Sequence, residues 1–246
     1  METHAFGFRL PTNAPEGQKR LPISEPAVEE ASMKRGIIGA MMAVVLVAVP
    51  VLAQAETMTF KMLSKVSRAA FKSDAPLETF VGNTAAEGIT GTLTVDPDNP
   101  AEARGTVKVD MNQVRTGIDK RDDDMRSKDY IDTANEANRW VTFEIKSVEI
   151  TGPLEPGKTV PAKVHGILTV RQKAVERVAD ATVTYIKLTP EQVEDQKRFG
   201  FTSDNIKVRA KMATTFTDHG MQVPQLLILK LANEIPIEVD LTFVKQ

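Results

Sequence analysis

The sequence of 246 residues contains no cysteine. Disulfide bonds, cysteine-ligated zinc, iron–sulfur clusters and thiol nucleophiles are therefore excluded together. An excess of one charge is also missing: the formal net charge is -2, so no overall field attracts nucleic acid or an anionic surface. Aromatic residues make up only 5% of the chain and form no aromatic–basic platform for single strands, so no nucleic-acid partner is predicted.

The longest apolar run covers residues 37–53 and follows a basic pair at residues 34–35. It ends in an Ala-x-Ala pattern, whose small residues fit a signal peptidase. These features predict a cleaved signal peptide over residues 33–55, with cleavage after Ala55. An uncleaved anchor is the alternative, because about seventeen apolar residues is near the lower limit for a spanning helix.

Residues 1–32 do not have the pattern of a signal peptide, since they contain four prolines, scattered charge and little periodicity. We interpret them as a misassigned start, with translation beginning at Met33, or as a disordered extension. The fold is expected in residues 56–246. No linker or internal repeat divides that part of the chain, so a single domain is predicted.

Alternation of apolar and polar residues dominates residues 56–246. In residues 104–111, for example, Val107, Val109 and Met111 share one face. Period-two alternation predicts strands with one buried and one wet face. The connections at residues 96–100 and 152–158 are rich in proline, glycine and aspartate. About eight short strands with few helical stretches predict an all-β fold, either a sandwich or a closed antiparallel barrel.

The densest charge cluster, RTGIDKRDDDMRSKDYID, covers residues 115–132 and includes three consecutive aspartates. Thr116 and Asp119 have the spacing of a capping box at a helix start. Two aspartates have basic partners at i,i+4 spacing, which is typical of exposed helical ion pairs: Asp122 with Arg126, and Asp124 with Lys128. The cluster therefore predicts a short helix, after which Tyr130 and Ile131 return to the sheet.

The triple aspartate does not predict a metal site. Calcium loops alternate their ligands and need a glycine at the sharp turn. Contiguous residues on a helix instead point about 100° apart. His165 lies in an alternating strand and His219 in a turn, and neither accompanies a G-x-S-x-G motif. No catalytic residue, metal or cofactor is predicted.

The stretch VRTGIDKRDDDMRSKDYIDTANEANRWVTFE resembles the signature of the YceI-like family, which is lipocalin-like, secreted and associated with polyisoprenoid binding. The matching elements are Thr116-Gly117, Arg121-Asp122, Met125-Arg126-Ser127, Tyr130-Ile131 and Phe143. LETFVGNTAAEGITGTLTVDPDNP, GILTV, DHGMQVP and IPIEVDLTF extend the resemblance over nearly all of residues 56–246. One departure is RQKAVERVAD from Arg171, which replaces the usual family turn and puts the geometry of that hairpin in question.

The resemblance implies an antiparallel eight-stranded lipocalin-like barrel with a short helical excursion. It also implies an exported, periplasmic protein that holds an isoprenoid lipid or quinone for transport, storage or sequestration. A closed sheet of about eight strands can hold one small ligand, and each buried methylene would contribute about 0.8 kcal/mol. A transient membrane contact and a homodimer are compatible with this role.

Residues predicted to contact the ligand are apolar or aromatic side chains near the signature and two arginines that could meet a phosphate headgroup. They are Phe71, Leu77, Phe80, Val81, Arg121, Met125, Arg126, Tyr130, Trp140, Phe143 and Phe216. Two other functions stay open: a hydrolase or isomerase that uses His165 or His219 as its base, and an interaction module whose barrel is filled by its own side chains.

Overall fold

The computed structural model describes residues 56–85, 87–226 and 229–246. The predicted signal peptide and the extension before it lie outside the described residues. From residue 56 onward, the described residues belong to one compact unit.

The described chain forms thirteen strands and two α-helices. In chain order they are β1 (Met58–Met62), β2 (Arg68–Ala75), β3 (Glu78–Thr84), β4 (Ile89–Val95), β5 (Arg104–Asp110), β6 (Val114–Arg115), α1 (Asp119–Arg126), β7 (Trp140–Ile150), β8 (Thr159–Val170), β9 (Lys173–Lys187), α2 (Pro190–Gln196), β10 (Asp204–Thr215), β11 (Gln225–Leu226), β12 (Leu229–Lys230) and β13 (Glu234–Lys245).

Eight of these strands close into an antiparallel barrel in the order β1-β4-β5-β7-β8-β9-β10-β13, and β13 pairs back onto β1. This confirms the predicted antiparallel eight-stranded barrel. A three-stranded extension, β2-β3-β6, continues from β13 outside the closed ring. The remaining pair, β11 and β12, forms a separate small hairpin.

Alternation along each strand separates the inside of the barrel from its outer surface. On β10, Ile206, Val208 and Ala210 line the interior. Between them, Lys207 forms an ion pair with Asp240 on β13, on the opposite face. On β10 the charged half of the strand therefore faces outward, and the interior receives the apolar half.

The closing strand β13 changes partner along its length. Its first half pairs with β2, and its last residues pair with β1. At the change, the Thr242 amide donates to the Ser67 hydroxyl at 2.9 Å, and that hydroxyl donates to the Leu63 carbonyl at 3.0 Å. Ser67 is only 5% exposed. The Ser67 hydroxyl is thus the acceptor for the Thr242 amide, which no neighbouring strand pairs with.

One end of the barrel is covered by the cap segment, residues 116–139, which contains α1; we call this the cap end. The predicted short helix is present, but the predicted capping box is wrong. The residue before the helix is Ile118, with no side-chain cap, and the Thr116 hydroxyl donates to Asp122 at 2.6 Å rather than capping with Asp119. Sequence spacing predicts a capping pair of Thr116 with Asp119. In the structure the Thr116 hydroxyl is instead bound by the buried carboxylate of Asp122.

The β8–β9 hairpin, where the sequence departs from the family pattern, turns in two residues. Arg171 and Gln172 both have positive φ, at 48° and 61°, as a type I′ turn requires. Both side chains hold the cap segment: Arg171 donates to the Lys128 carbonyl at 3.1 Å, and Gln172 donates to Asn138 Oδ1 at 2.8 Å. These bonds give a reason for non-glycine residues in a conformation that favours glycine.

The other end of the barrel, the floor end, is closed by two loops at residues 96–103 and 151–158. The Leu154 amide donates to the Pro97 carbonyl at 2.7 Å and joins the two loops. The segment that connects β9 to β10 and contains α2 also begins and ends at the floor end. Within the described part of the chain, no helix is long and apolar enough to cross a membrane.

Replacing Ser67 by alanine is expected to destabilise the protein by about 1–3 kcal/mol, because the buried Thr242 amide loses its acceptor. Urea unfolding at neutral pH measures this change. Ser73→Ala is the matched control, since Ser73 is 1% exposed and its hydroxyl has no hydrogen-bond partner among the described residues. That control is expected to be neutral or slightly stabilising, and equal losses in the two variants would contradict the role given to Ser67.

Candidate functional site

The barrel encloses an apolar cavity of about 140 Å³. For comparison, an engineered apolar cavity of about 150 Å³ in another protein stays free of water and binds benzene. Every lining residue is apolar: Ala69, Leu93, Val95, Pro100, Ala103, Val107, Val109, Val141, Phe143, Ile145, Val148, Ile150, Leu154, Val164, Leu168, Ala179, Val183, Ile206, Val208, Ala210, Met212, Ile237, Val239, Leu241 and Phe243. Among the described residues, no charged side chain lines this cavity, so a hydrocarbon would lose no polar contacts by entering it.

Small inward-facing residues leave this space open. Ala179 on β9 and Ala210 on β10 face the interior where larger side chains would fill it. Gly166 on β8 has a similar effect, because the Phe143 ring lies over its backbone. A Cβ at Gly166 would come within 2.4 Å of Phe143 Cζ. The glycine therefore lets the Phe143 ring lie flat against the wall rather than project into the cavity.

The floor end is closed by apolar residues of the two floor loops. Pro100, Ala103 and Leu154 line the cavity there, and Leu154 is only 5% exposed. The Gly157 amide donates to the Tyr185 carbonyl at 2.8 Å and attaches the second loop to β9. These contacts make the floor end a closed surface.

A second apolar cluster closes the cap end. Met111, Val114, Ile131, Val170 and Met221 are buried in it, next to Leu168 of the cavity wall. Their exposures range from 3% to 7%. Ile131 belongs to the cap segment. The segment that is densely charged in sequence therefore also supplies an apolar side chain that covers this end of the barrel.

The cap segment is attached by buried polar contacts. Asp122 is 1% exposed and accepts from the Thr116 amide at 2.8 Å as well as from its hydroxyl. Burial acts to raise the pKa of Asp122, but the Thr116 hydrogen bonds and the nearby charges of Arg126 and Arg115 lower it overall. At neutral pH Asp122 is therefore a charged acceptor.

A second attachment joins the end of β5 to the end of the cap segment. Arg139 donates from Nε to Asp110 Oδ1 at 3.0 Å and from Nη2 to Asp110 Oδ2 at 2.7 Å. The guanidinium lowers the pKa of the Asp110 carboxyl, which is 4% exposed. This paired geometry is the strong form of an arginine–carboxylate contact.

Five of the predicted contact residues lie together at the cap end. Phe143 lines the cavity, and the side chains packed against the cap-end cluster include Phe71, Met125, Tyr130 and Phe216. They lie on β2, α1 and β7 and in the turns after α1 and β10. These elements are far apart in sequence, and the closed barrel brings them together.

The other predicted residues lie elsewhere and are not among the lining residues. Leu77 is 82% exposed and Val81 44% exposed on the β2–β3 extension, outside the closed ring. Phe80 is covered by the Arg121 guanidinium, 4.0 Å from its ring centroid. The Trp140 ring lies 5.1 Å from a neighbouring guanidinium, that of Arg139.

The two predicted arginines have partners within the protein. Arg121 Nη1 lies 2.6 Å from Glu78 Oε1, and Arg126 Nη2 lies 3.2 Å from Asp123 Oδ1. The aspartate partners predicted at i,i+4 spacing are not the ones observed, since Asp124 pairs with Lys120. Arg121 thus attaches the cap segment to β3, and Arg126 attaches it to β6, because its Nη1 donates to the Val114 carbonyl at 3.4 Å.

Most of the cavity wall was missed by sequence reasoning, because alternation alone does not tell which of two faces is inside. The signal that distinguishes the faces is charge. On β10, lysine and arginine occupy one parity while Ile206, Val208 and Ala210 occupy the other. An uninterrupted apolar parity of this kind marks the inner face.

Neither histidine of the described chain lines the cavity. His165 Nε2 lies 2.6 Å from Glu149 Oε1 on the outer surface. His219 is 1% exposed, with Nε2 2.7 Å from the Thr214 hydroxyl and Nδ1 3.1 Å from the Lys173 carbonyl. The described residues also contain no cluster of three or more metal-ligating side chains.

Comparison with protein families gives one match, in which the YceI-like domain model covers residues 54–243. No curated protein matches the chain.

Several solved structures have the same fold. BcnA of Burkholderia cenocepacia is 16% identical with a TM-score of 0.54, over 73% of this chain and 97% of its own. A polyisoprenoid-binding domain from Saccharophagus degradans, implicated in plant cell wall breakdown, is 13% identical with a TM-score of 0.55, over 77% and 99%. A YceI protein of Campylobacter jejuni is 15% identical with a TM-score of 0.50, over 67% and 84%. At these identities, the similarity shows the fold alone.

Replacing Asp122 by alanine is expected to destabilise the protein by roughly 2–3 kcal/mol, because a buried carboxylate acceptor is lost. The folded-state pKa of Asp122 is lower than its ordinary value of 3.8. Its contribution is therefore fully present above that pH and is lost as pH falls through the folded value. Urea unfolding from neutral to acidic pH should show the difference between wild type and variant shrinking in acid.

The neighbouring aspartate supplies a control of the same type. The Asp124 side chain is 53% exposed and pairs with Lys120. Asp124→Ala should change stability by less than about 1 kcal/mol. If both variants behaved alike, the buried anchoring of the cap segment would be wrong.

Proposed function

The chain belongs to the YceI-like domain family, and on that premise we propose that it binds an isoprenoid lipid whose hydrocarbon tail lies in the barrel cavity. The ligand is an amphiphile of the quinone or polyprenyl type. The protein holds it for transport, storage or sequestration rather than transforming it.

The observation that carries this proposal is the wholly apolar cavity inside a closed barrel. Burial of hydrocarbon stabilises a complex by about 0.8 kcal/mol per methylene, without any polar contact. The cavity of about 140 Å³ accepts a short segment of tail as it stands. A longer tail would displace flexible side chains, and Met212 at the cap end is the most adaptable of those in the wall.

Two further features support a binding role. One solved relative of the same fold is described as polyisoprenoid-binding. In addition, His165 Nε2 and both ring nitrogens of His219 are engaged outside the lining, so a hydrolase or isomerase would lack a histidine base beside its substrate. An interaction module with a filled barrel would not need the open space between β7 and β10.

The compartment we propose is the periplasm. This follows from the signal peptide predicted over residues 33–55, with cleavage after Ala55. A periplasmic carrier must load and unload at a membrane, so a transient contact with the bilayer belongs to this proposal. Amino-terminal sequencing of the exported protein would establish the cleavage position.

Filling the cavity should weaken tail binding. Ala210 lines the interior at mid-barrel, so Ala210→Phe is expected to weaken binding of a short-tailed quinone by about tenfold or more, through steric exclusion. The measurement is quenching of Trp140, the single tryptophan, which adjoins Val141 of the cavity wall.

Ala213→Phe serves as the control, because Ala213 is on the same strand with the opposite parity. Its quinone affinity should equal that of wild type, and urea unfolding of both variants shows that they are folded. Native mass spectrometry of protein isolated from a bacterial periplasm should reveal a bound isoprenoid. Absence of a lipid, together with no quinone uptake by the wild type, would contradict the proposed function.

A further inference from the structure

The barrel wall has a seam between β9 and β10 at the cap end. Their ladder ends at the pair Lys211↔Asp180, although β9 begins at Lys173 and β10 continues to Thr215. Beyond that pair, side chains rather than backbone hydrogen bonds join the two strands.

One of those side chains, Arg177, belongs to the inner face. On β9 it has the parity of Ala179 and Val183, which line the cavity. Ala179 is two residues away, about 6–7 Å along the strand. The Arg177 side chain is 20% exposed, so its charge lies largely out of solvent, just beyond the apolar lining.

A relay of hydrogen bonds holds Arg177 in place. The Lys173 carbonyl can only accept, so His219 Nδ1 donates to it, and Nε2 of the neutral ring accepts from the Thr214 hydroxyl. The same hydroxyl oxygen accepts from Arg177 Nη2 at 3.2 Å. Thr214 and His219 are 4% and 1% exposed. The guanidinium is therefore positioned by buried groups rather than free to move with the surface.

The charge partner of Arg177 is more exposed than the arginine. Arg177 Nη2 donates to Asp218, whose side chain is 38% exposed on the turn after β10. Arg177 Nη1 donates to the Glu176 carbonyl at 2.8 Å. Of its five N–H groups, three have these partners, and Nε and the second Nη1 hydrogen have none among the described residues.

The floor end has the opposite character. There, Tyr185 donates to the buried Asp204, and the Ser203 hydroxyl donates to the same carboxylate at 2.7 Å. Asp204 is 5% exposed. An anionic group at that end would meet a carboxylate already paired with Lys245 at 3.9 Å, whereas at the cap end it would meet a guanidinium.

We propose that Arg177 receives the anionic headgroup, a phosphate or diphosphate, of the isoprenoid held in the cavity. In the empty protein Asp218 takes the place of that headgroup, and it turns toward solvent when the lipid binds. This inference rests on the proposed function and adds to it the headgroup class, its position at the β9–β10 seam and the orientation of the tail toward the floor end.

Three probes separate the headgroup from the tail: farnesyl diphosphate, farnesol and inorganic diphosphate. Wild type is expected to bind farnesyl diphosphate about tenfold or more tightly than farnesol, because bonds to a charged group add to tail burial. Arg177→Gln should remove this preference and leave farnesol affinity unchanged. Asp218→Asn should strengthen farnesyl diphosphate binding severalfold, since it removes the competing carboxylate.

Arg209→Gln is the matched control, because Arg209 lies on the outer face of β10 with its side chain 72% exposed. It should behave as wild type with all three probes. The Asp218→Asn arm keeps the test decisive even if Arg177→Gln folds poorly.

Other outcomes overturn the inference in distinguishable ways. Equal affinity for farnesyl diphosphate and farnesol in wild type, or a preference that survives Arg177→Gln, would remove Arg177 from headgroup recognition. Inorganic diphosphate binding as tightly as farnesyl diphosphate would indicate a free-anion site instead. Failure of every tailed probe to bind would contradict the proposed function itself.

Discussion

The whole structure depends on the change of partner along β13. This one strand closes the ring by pairing its last residues with β1, and it also carries the β2-β3-β6 extension. Ser67 bridges the point of change by accepting from the Thr242 amide. Because a one-residue slip in register would turn every apolar side chain to the other face, the pairing that closes the ring holds the apolar parity of the strands inward. The enclosed apolar space follows from that choice.

Once the inner parity is fixed, the two ends of the barrel acquire different chemistry. The floor end presents the buried Asp204, and the cap end presents Arg177 at a seam where two strands separate. Between them the wall is apolar throughout. A cavity with this polarity suits an amphiphile with one hydrocarbon tail and one negative end, and the densely charged cap segment contributes attachment and an apolar lid.

Local pattern predicted the strands and the short helix, because alternation and helical spacing are properties of neighbouring residues. Alternation alone could not predict which face was inside, since an inside exists only once β1 and β13, at opposite ends of the described fold, have paired. Leu77 and Val81 were predicted to contact ligand because they are apolar, yet the extension carries them into solvent. Asp122 and Asp124 have similar sequence neighbours, but only the tertiary position of Thr116 buries the first of them.

The most direct test of the account is a crystal structure of the protein with an isoprenoid that carries bromine at the far end of its tail. Anomalous scattering locates the bromine without reference to the rest of the lipid. The account predicts a peak inside the barrel, between the inner faces of β7 and β10. A peak on the outer surface, with the interior closed by the protein's own side chains, would contradict it.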